Sequence, residues 1–120
     1  MKALFDTNIL VDYLNAVPQA RAELERYAEK AISIVTWMEV MAGAPAFAVR
    51  ATREFLDGLT VIELDQRVAL RAVTLRRDHR LKLPDAIVRA SAQVHAMPLV
   101  TRGTKAFPAD DPGGRMPYRI

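Results

Sequence analysis

Lys2-Ala3-Leu4-Phe5-Asp6-Thr7-Asn8 is the stretch that decides the fold. Residues 2–5 are short and apolar enough for a buried strand, and Asp6-Thr7-Asn8 makes a good strand exit and helix cap. An acid therefore stands where a strand hands over to a helix. The placing recurs with Glu39, shortly after Ile32-Ser33-Ile34-Val35, and with Asp85 in Leu83-Pro84-Asp85-Ala86, at a helix start. In an open parallel α/β sheet such positions converge at the carboxyl edge of the strands, where ligands bind. Carboxylates gathered there repel one another by roughly 4 kcal/mol at about 4 Å near a protein surface. A divalent metal is the commonest partner that offsets this cost, and hard cations such as Mg2+ or Mn2+ prefer oxygen ligands.

Outward from this stretch, strand and helix alternate. Residues 9–14 read as a short helix, and Pro18 suits the first position of another, reaching about residue 31. Ala20, Leu24, Tyr27, Ala28 and Ala31 form its apolar stripe. Residues 31–35 are a buried-strand pattern. Thr36 then opens a helix with Trp37, Val40, Met41 and Ala44 on one face, ended by Gly43 and Pro45. A further helix is expected over 46–59, with Phe55 and Leu59 facing in, and a strand over 60–64. Asp65 caps a helix to about residue 78. Pro84-Asp85 opens a helix through residue 96, and 99–101 is a strand. The tail from Gly103, rich in Pro and Gly, is mostly loop with an edge strand expected at 118–120. The alternation predicts one α/β domain over 1–120, in three α/β/α layers around a central, mainly parallel sheet of four to five strands. Right-handed crossovers would bring the strand ends carrying the acids to one edge.

The composition supports a globular fold, with 51% apolar residues in 120. There are no cysteines. That excludes disulfides, thiolate zinc sites and a cysteine nucleophile, and fits a reducing cytosol. No apolar run approaches the roughly 18 residues of a membrane span. The N-terminus runs from Lys2 through a short apolar run to Asp6, unlike a signal peptide. Seventeen basic and 14 acidic residues give a net charge of +3, which suits a polyanion partner or simply a solvated surface.

Each acid also has a structural reading. Asp6 could be only an N-cap. Thr36-Trp37-Met38-Glu39 is a capping-box pattern, in which Glu39 reaches back to the Thr36 amide. Asp85 could merely complement the positive end of a helix. What favours a site is that all three fall on the same predicted edge. Glu23, Glu25, Glu29 and Glu54 read as surface partners of Arg or Lys on amphipathic helices. His79 and His95 read as cap or surface residues. Arg76, Arg77, Arg80 and Lys82 run up to Asp85, and Arg89, Arg102 and Lys105 sit near the same edge. They could hold phosphates, or form a solvated helix end. Trp37 reads as core or interface.

Leu4-Phe5-Asp6-Thr7-Asn8-Ile9-Leu10, Ser33-Ile34-Val35-Thr36-Trp37-Met38-Glu39-Val40, Leu81-Lys82-Leu83-Pro84-Asp85-Ala86-Ile87-Val88 and Leu99-Val100-Thr101-Arg102, in this order, resemble a PIN domain, a Rossmann-like fold. They look most like VapC-type toxins of bacterial toxin–antitoxin pairs, over essentially the whole chain. The resemblance implies a cytoplasmic, Mg2+- or Mn2+-dependent endoribonuclease. Asp6, Glu39 and Asp85 match the family's first three acids and metal ligands. Thr7 and Asn8 match the small polar residues after the first acid, for orienting a water or ligand and bracing the acids, and Thr101 matches a polar residue near the site. The family often carries a further acidic or amide residue just after the Thr-Arg pair and an Asp before the next Phe; here these are Gly103 and Ala106. Asp110 or Asp111 folding back to supply a fourth ligand is one reading of the tail, and an ordinary solvated turn is the other.

The partners implied are RNA, in structured loops such as those of tRNA or rRNA, a VapB-type antitoxin, and a second copy in a homodimer that joins a larger assembly with the antitoxin. Trp37, Met41, Phe47 and Phe55 could line a groove for the antitoxin or belong to the core. The rival reading is a PIN-like domain that only binds RNA or antitoxin. A haloacid-dehalogenase-like phosphatase would need a second acid where Asn8 stands. A receiver domain lacks its paired acids and acceptor Asp. A Ser-His-Asp hydrolase lacks a nucleophile elbow.

Overall fold

The structure, a computed structural model, describes residues 1–103 and 113–119. Strand β1 (Lys2–Phe5) lies at the centre of a sheet of order β3-β2-β1-β4-β5, completed by β2 (Glu29–Ser33), β3 (Thr60–Ile62), β4 (Leu99–Val100) and β5 (Gly114–Arg115). All four pairings are parallel. A parallel sheet is covered on both faces, so its central strand reads as a continuous apolar run and not as an alternating one. Ala3, Leu4 and Phe5 are accordingly all buried.

Ala3 and Phe5 share one core with Ile9, Leu10, Leu24, Val40 and Leu56. These come from helices α1 (Thr7–Leu14), α2 (Pro18–Glu25), α3 (Ile34–Gly43) and α4 (Val49–Asp57). Leu4 points the other way, toward Val88, Ala92 and Leu99. Beyond it, α5 (Gln66–His79) and α6 (Leu83–Val94) pack Val68, Ala72 and Leu75 against Ala86 and Ala90. The three-layer α/β/α expectation is met, with five strands.

Several boundaries move. Helix α2 stops at Glu25 and not near residue 31, because the Ala28 and Glu29 amides donate to the Met1 carbonyl and Glu29 pairs with Lys2. Tyr27 turns inward and meets the Phe5 ring edge-on at 5.5 Å. Strand β2 then runs over 29–33, two residues earlier than the pattern suggested. Ser33 ends it and caps α3, its side chain accepting from the Val35 amide at 3.1 Å. Thr36 is thus inside the helix, and the expected capping box with Glu39 does not form. The helix expected over 46–59 is a 3-10 turn (Ala46–Ala48) followed by α4. The last strand is Gly114–Arg115, not the segment from Tyr118, and residue 120 lies outside the described residues. Asp65 caps α5 as expected, accepting from the Val68 amide at 2.9 Å. Among the described residues no helix is long and apolar enough to cross a membrane.

Candidate active site

Asp6 follows β1 directly and caps α1 from extended backbone. Its Oδ1 accepts from the Thr7 amide at 2.8 Å and its Oδ2 from the Thr101 hydroxyl at 2.8 Å. Thr101 follows β4, and the pairing of Phe5 with Val100 sets the two strand ends side by side. The carboxyl group is buried, and that burial raises its proton affinity above the ordinary aspartate value. The two hydrogen bonds oppose the shift. The negative charges of Asp85 and Glu39 add to it. Asp6, at the carboxyl end of β1, therefore feels the charges of both other predicted acids.

Glu39 is exposed on α3 and reaches Thr7, whose Oγ1 lies 2.8 Å from Glu39 Oε1 and 3.1 Å from Thr36 Oγ1. A hydroxyl has one proton to give. Given to the Glu39 carboxylate, it leaves the Thr7 oxygen to accept from Thr36. Thr36 is fully buried, so it is a site residue that the capping-box reading concealed. Asp85 sits half-buried in the first turn of α6, where the helix dipole favours a negative charge.

Asn8 links the two strand ends. Its Nδ2 donates to Thr101 Oγ1 at 3.1 Å and lies 3.5 Å from Asp6 Oδ2, while its Oδ1 accepts from the Arg102 amide at 3.2 Å. The Gly103 amide also donates to Thr101 Oγ1, at 3.0 Å. A Cβ on Gly103 would stand only 3.2 Å from Asn8 Nδ2. The residue where the family often carries a fourth acid or amide is thus a glycine whose missing side chain leaves room for Asn8. Lys105, Ala106, Asp110 and Asp111 lie outside the described residues.

The donor set offers oxygens only, from carboxylates that repel one another, and this fits a hard divalent cation. Asp6, Glu39 and Asp85 are the residues that would hold it. As they stand, no three His, Asp or Glu side chains among the described residues gather closely enough to share one ion.

The basic residues divide. Arg80, in the left-handed conformation that ends α5, and Lys82, before α6, are exposed beside the Asp85 turn. Arg76 spends a guanidinium N–H on the Leu81 carbonyl at 2.6 Å. Arg89, one turn after Asp85, is buried. Arg102 grips Asp12 with two bonds, of 2.6 and 2.9 Å. Asp12 is buried and also accepts from the Tyr118 hydroxyl at 2.9 Å. Glu23, expected at the surface, is only 4% exposed. It receives Arg115 through two bonds of 2.7 and 3.0 Å, with Arg26 and Tyr27 alongside. Glu25 and Glu54 do form surface pairs, with Arg21 and Arg50. His79 is exposed at the end of α5 and His95 ends α6. Trp37, Met41 and Phe55 pack partly buried against the core, with the Arg53 guanidinium 5.8 Å from the Trp37 ring, whereas Phe47 is 92% exposed.

A family model described as "PIN domain" matches residues 3–109. Among solved structures, a toxin–antitoxin complex from Klebsiella pneumoniae is similar over 98% of this chain and 99% of that one, at 47% identity and a TM-score of 0.92. VapBC2 from Rickettsia felis, bound to a DNA fragment from its promoter, aligns over 88% of this chain and 90% of its own, at 23% identity and a TM-score of 0.76. DNA-bound VapBC from Salmonella typhimurium aligns over 96% of both chains, at 22% identity and a TM-score of 0.74. Among curated proteins none matches. The chain belongs to the PIN domain family, and the resemblance to its VapC-type members holds at the level of the fold.

Proposed function

We propose that this chain is a VapC-type toxin, a metal-dependent endoribonuclease that hydrolyses phosphodiester bonds in structured RNA. The observation that carries the reading is buried Asp6, its proton affinity raised by burial and by the charges of Asp85 and Glu39, at the carboxyl edge of a parallel sheet. The 47% identity to a chain of a toxin–antitoxin complex supports the same reading and extends it to an antitoxin partner. A homodimer, assembling further with that antitoxin in the cytoplasm, completes the proposal.

Asp6, Glu39 and Asp85 would hold a divalent ion, Mg2+ or Mn2+, which would supply Lewis acidity toward the phosphate and a lowered pKa for bound water. The protein's own part is orientation. Thr101 and Asn8 fix the Oδ2 face of Asp6, and Thr7, backed by Thr36, steers Glu39. Arg80 and Lys82 give the RNA backbone cationic contacts beside the acids.

The second reading, a domain that binds RNA or antitoxin without cutting, is favoured by Gly103 in place of a fourth acid. The test is cleavage of a mixed tRNA and rRNA pool by antitoxin-free protein with Mg2+, Mn2+ or EDTA, alongside Asp85→Ala. Discrete cuts that need metal and vanish in the variant are expected. Folded protein that cuts nothing with either metal makes the binding-only reading the correct one.

A further inference from the structure

We propose that Asp12 and Arg102 form a positioning clamp that sets the orientation of Asn8, and through it the hydrogen bonding of Asp6. The inference rests on the nuclease reading for its kinetic consequence, but not for its geometry. Asn8 and Asp12 are one turn apart on α1, so they project from the same face. Arg102 spans both turns. Its backbone N–H donates to Asn8 Oδ1 at 3.2 Å, and its guanidinium donates to both Asp12 oxygens at 2.6 and 2.9 Å. The two-pronged pair is the more rigid form of such a contact.

An asparagine amide presents either its oxygen or its NH2 group to a given neighbour, and its surroundings choose. Here the Arg102 N–H claims the oxygen. That leaves Nδ2 facing Thr101 Oγ1 at 3.1 Å and Asp6 Oδ2 at 3.5 Å. Turned over, the amide would set its oxygen against the Asp6 carboxylate and its NH2 against the Arg102 N–H, both repulsive. The clamp therefore fixes which end of Asn8 meets the acids. Thr101, its oxygen accepting from Asn8, is left to give its proton to Asp6.

The same contacts commit Nε and Nη2 of Arg102 to Asp12. Asp12 is 5% exposed, and its other close partner is the neutral Tyr118 hydroxyl. Moving the guanidinium onto RNA would strand a buried carboxylate, which is strongly unfavourable. Arg102 thus acts through the loop it anchors.

The test uses Arg102→Lys and Asp12→Asn in the full chain, with three readouts: kcat and KM for RNA cleavage, the 1H–15N signals of the Asn8 side-chain amide in the metal-free protein, and Tm. Each variant is expected to lower kcat by about 10–100-fold, the loss typical of groups that orient ligands, with KM unchanged. Both are expected to move the Asn8 amide signals. A raised KM for Arg102→Lys, with Asp12→Asn normal and Asn8 unmoved, overturns the clamp in favour of a phosphate contact. A lowered Tm with kcat and the Asn8 signals unchanged reduces the pair to a structural staple and also overturns it. Should either variant fail to fold, Tyr118→Phe removes one bond to Asp12 while keeping the ion pair. A smaller shift of the Asn8 signals then supports the clamp, and none overturns it. If the wild-type chain cuts no RNA, the nuclease reading falls, while the Asn8 signals still decide the clamp.

Discussion

The Asp6 carboxylate accepts from the Thr7 amide and the Thr101 hydroxyl, yet burial outweighs both bonds and lifts its pKa above the ordinary 3.8. A group raised in the folded state is costly while charged, and the cost lessens as pH falls through the raised value. Asp6→Asn keeps an oxygen for the α1 cap and removes the charge. Relative to the wild type, the variant should therefore fare best at pH 7 and progressively worse on acidification, as thermal melts across that range will show. Its RNA cleavage should fall by more than about a hundredfold, past the loss typical of groups behind the ligands. A stability difference that stays constant with pH would sink the electrostatic account and leave Asp6 as a structural cap. The three acids were legible in the sequence because each stands just past an apolar run. Thr36, Asp12 and Tyr118 were not, since their roles depend on partners 29, 90 and 106 positions away.

Helix α3 begins where Ser33 accepts from the Val35 amide. Local pattern hides this start, because Ile34 and Val35 are β-branched and continue the look of a strand. What settles it is the pairing of β2 with β1 from Glu29 onward, a tertiary fact. The alternation of strands and helices was legible throughout; the handover points were not. Ser33→Ala should cost about 1 kcal/mol, the usual worth of an N-cap, with RNA cleavage little changed. Thr36→Val should leave the cap intact and disturb Thr7 and Glu39, so cleavage should suffer more than stability. Melts and cleavage rates on the two variants should rank them in opposite orders. Thr36→Val losing the helix cap would restore the capping box.

At the scale of the whole molecule, two buried acids tie the C-terminal segment down: Asp12 through Arg102 and Tyr118, Glu23 through Arg115. Their surroundings shape the pH dependence of stability at both ends. The Arg102 hydrogen bonds hold Asp12 below the ordinary 3.8, so its contribution is present above that value and lost as pH falls through the depressed one. Burial and the neighbouring Glu23 charge push Tyr27 up to about 12, and burial and Asp12 push Tyr118 up as well. For a raised pKa the sign reverses. Stability holds below the ordinary tyrosine value of 10 and drains away as pH climbs toward about 12. Melts over the alkaline range should show that decline, and Tyr27→Phe should flatten it; an unchanged slope would rule Tyr27 out as its source.

The central place of β1 has a consequence in time. The Thr101 hydroxyl that completes the Asp6 carboxylate lies 95 residues further along the chain. Contacts so distant along the chain close late in folding. The bonds that complete the Asp6 carboxylate therefore form with the closing of β4 against β1, and not with the strand that carries the acid.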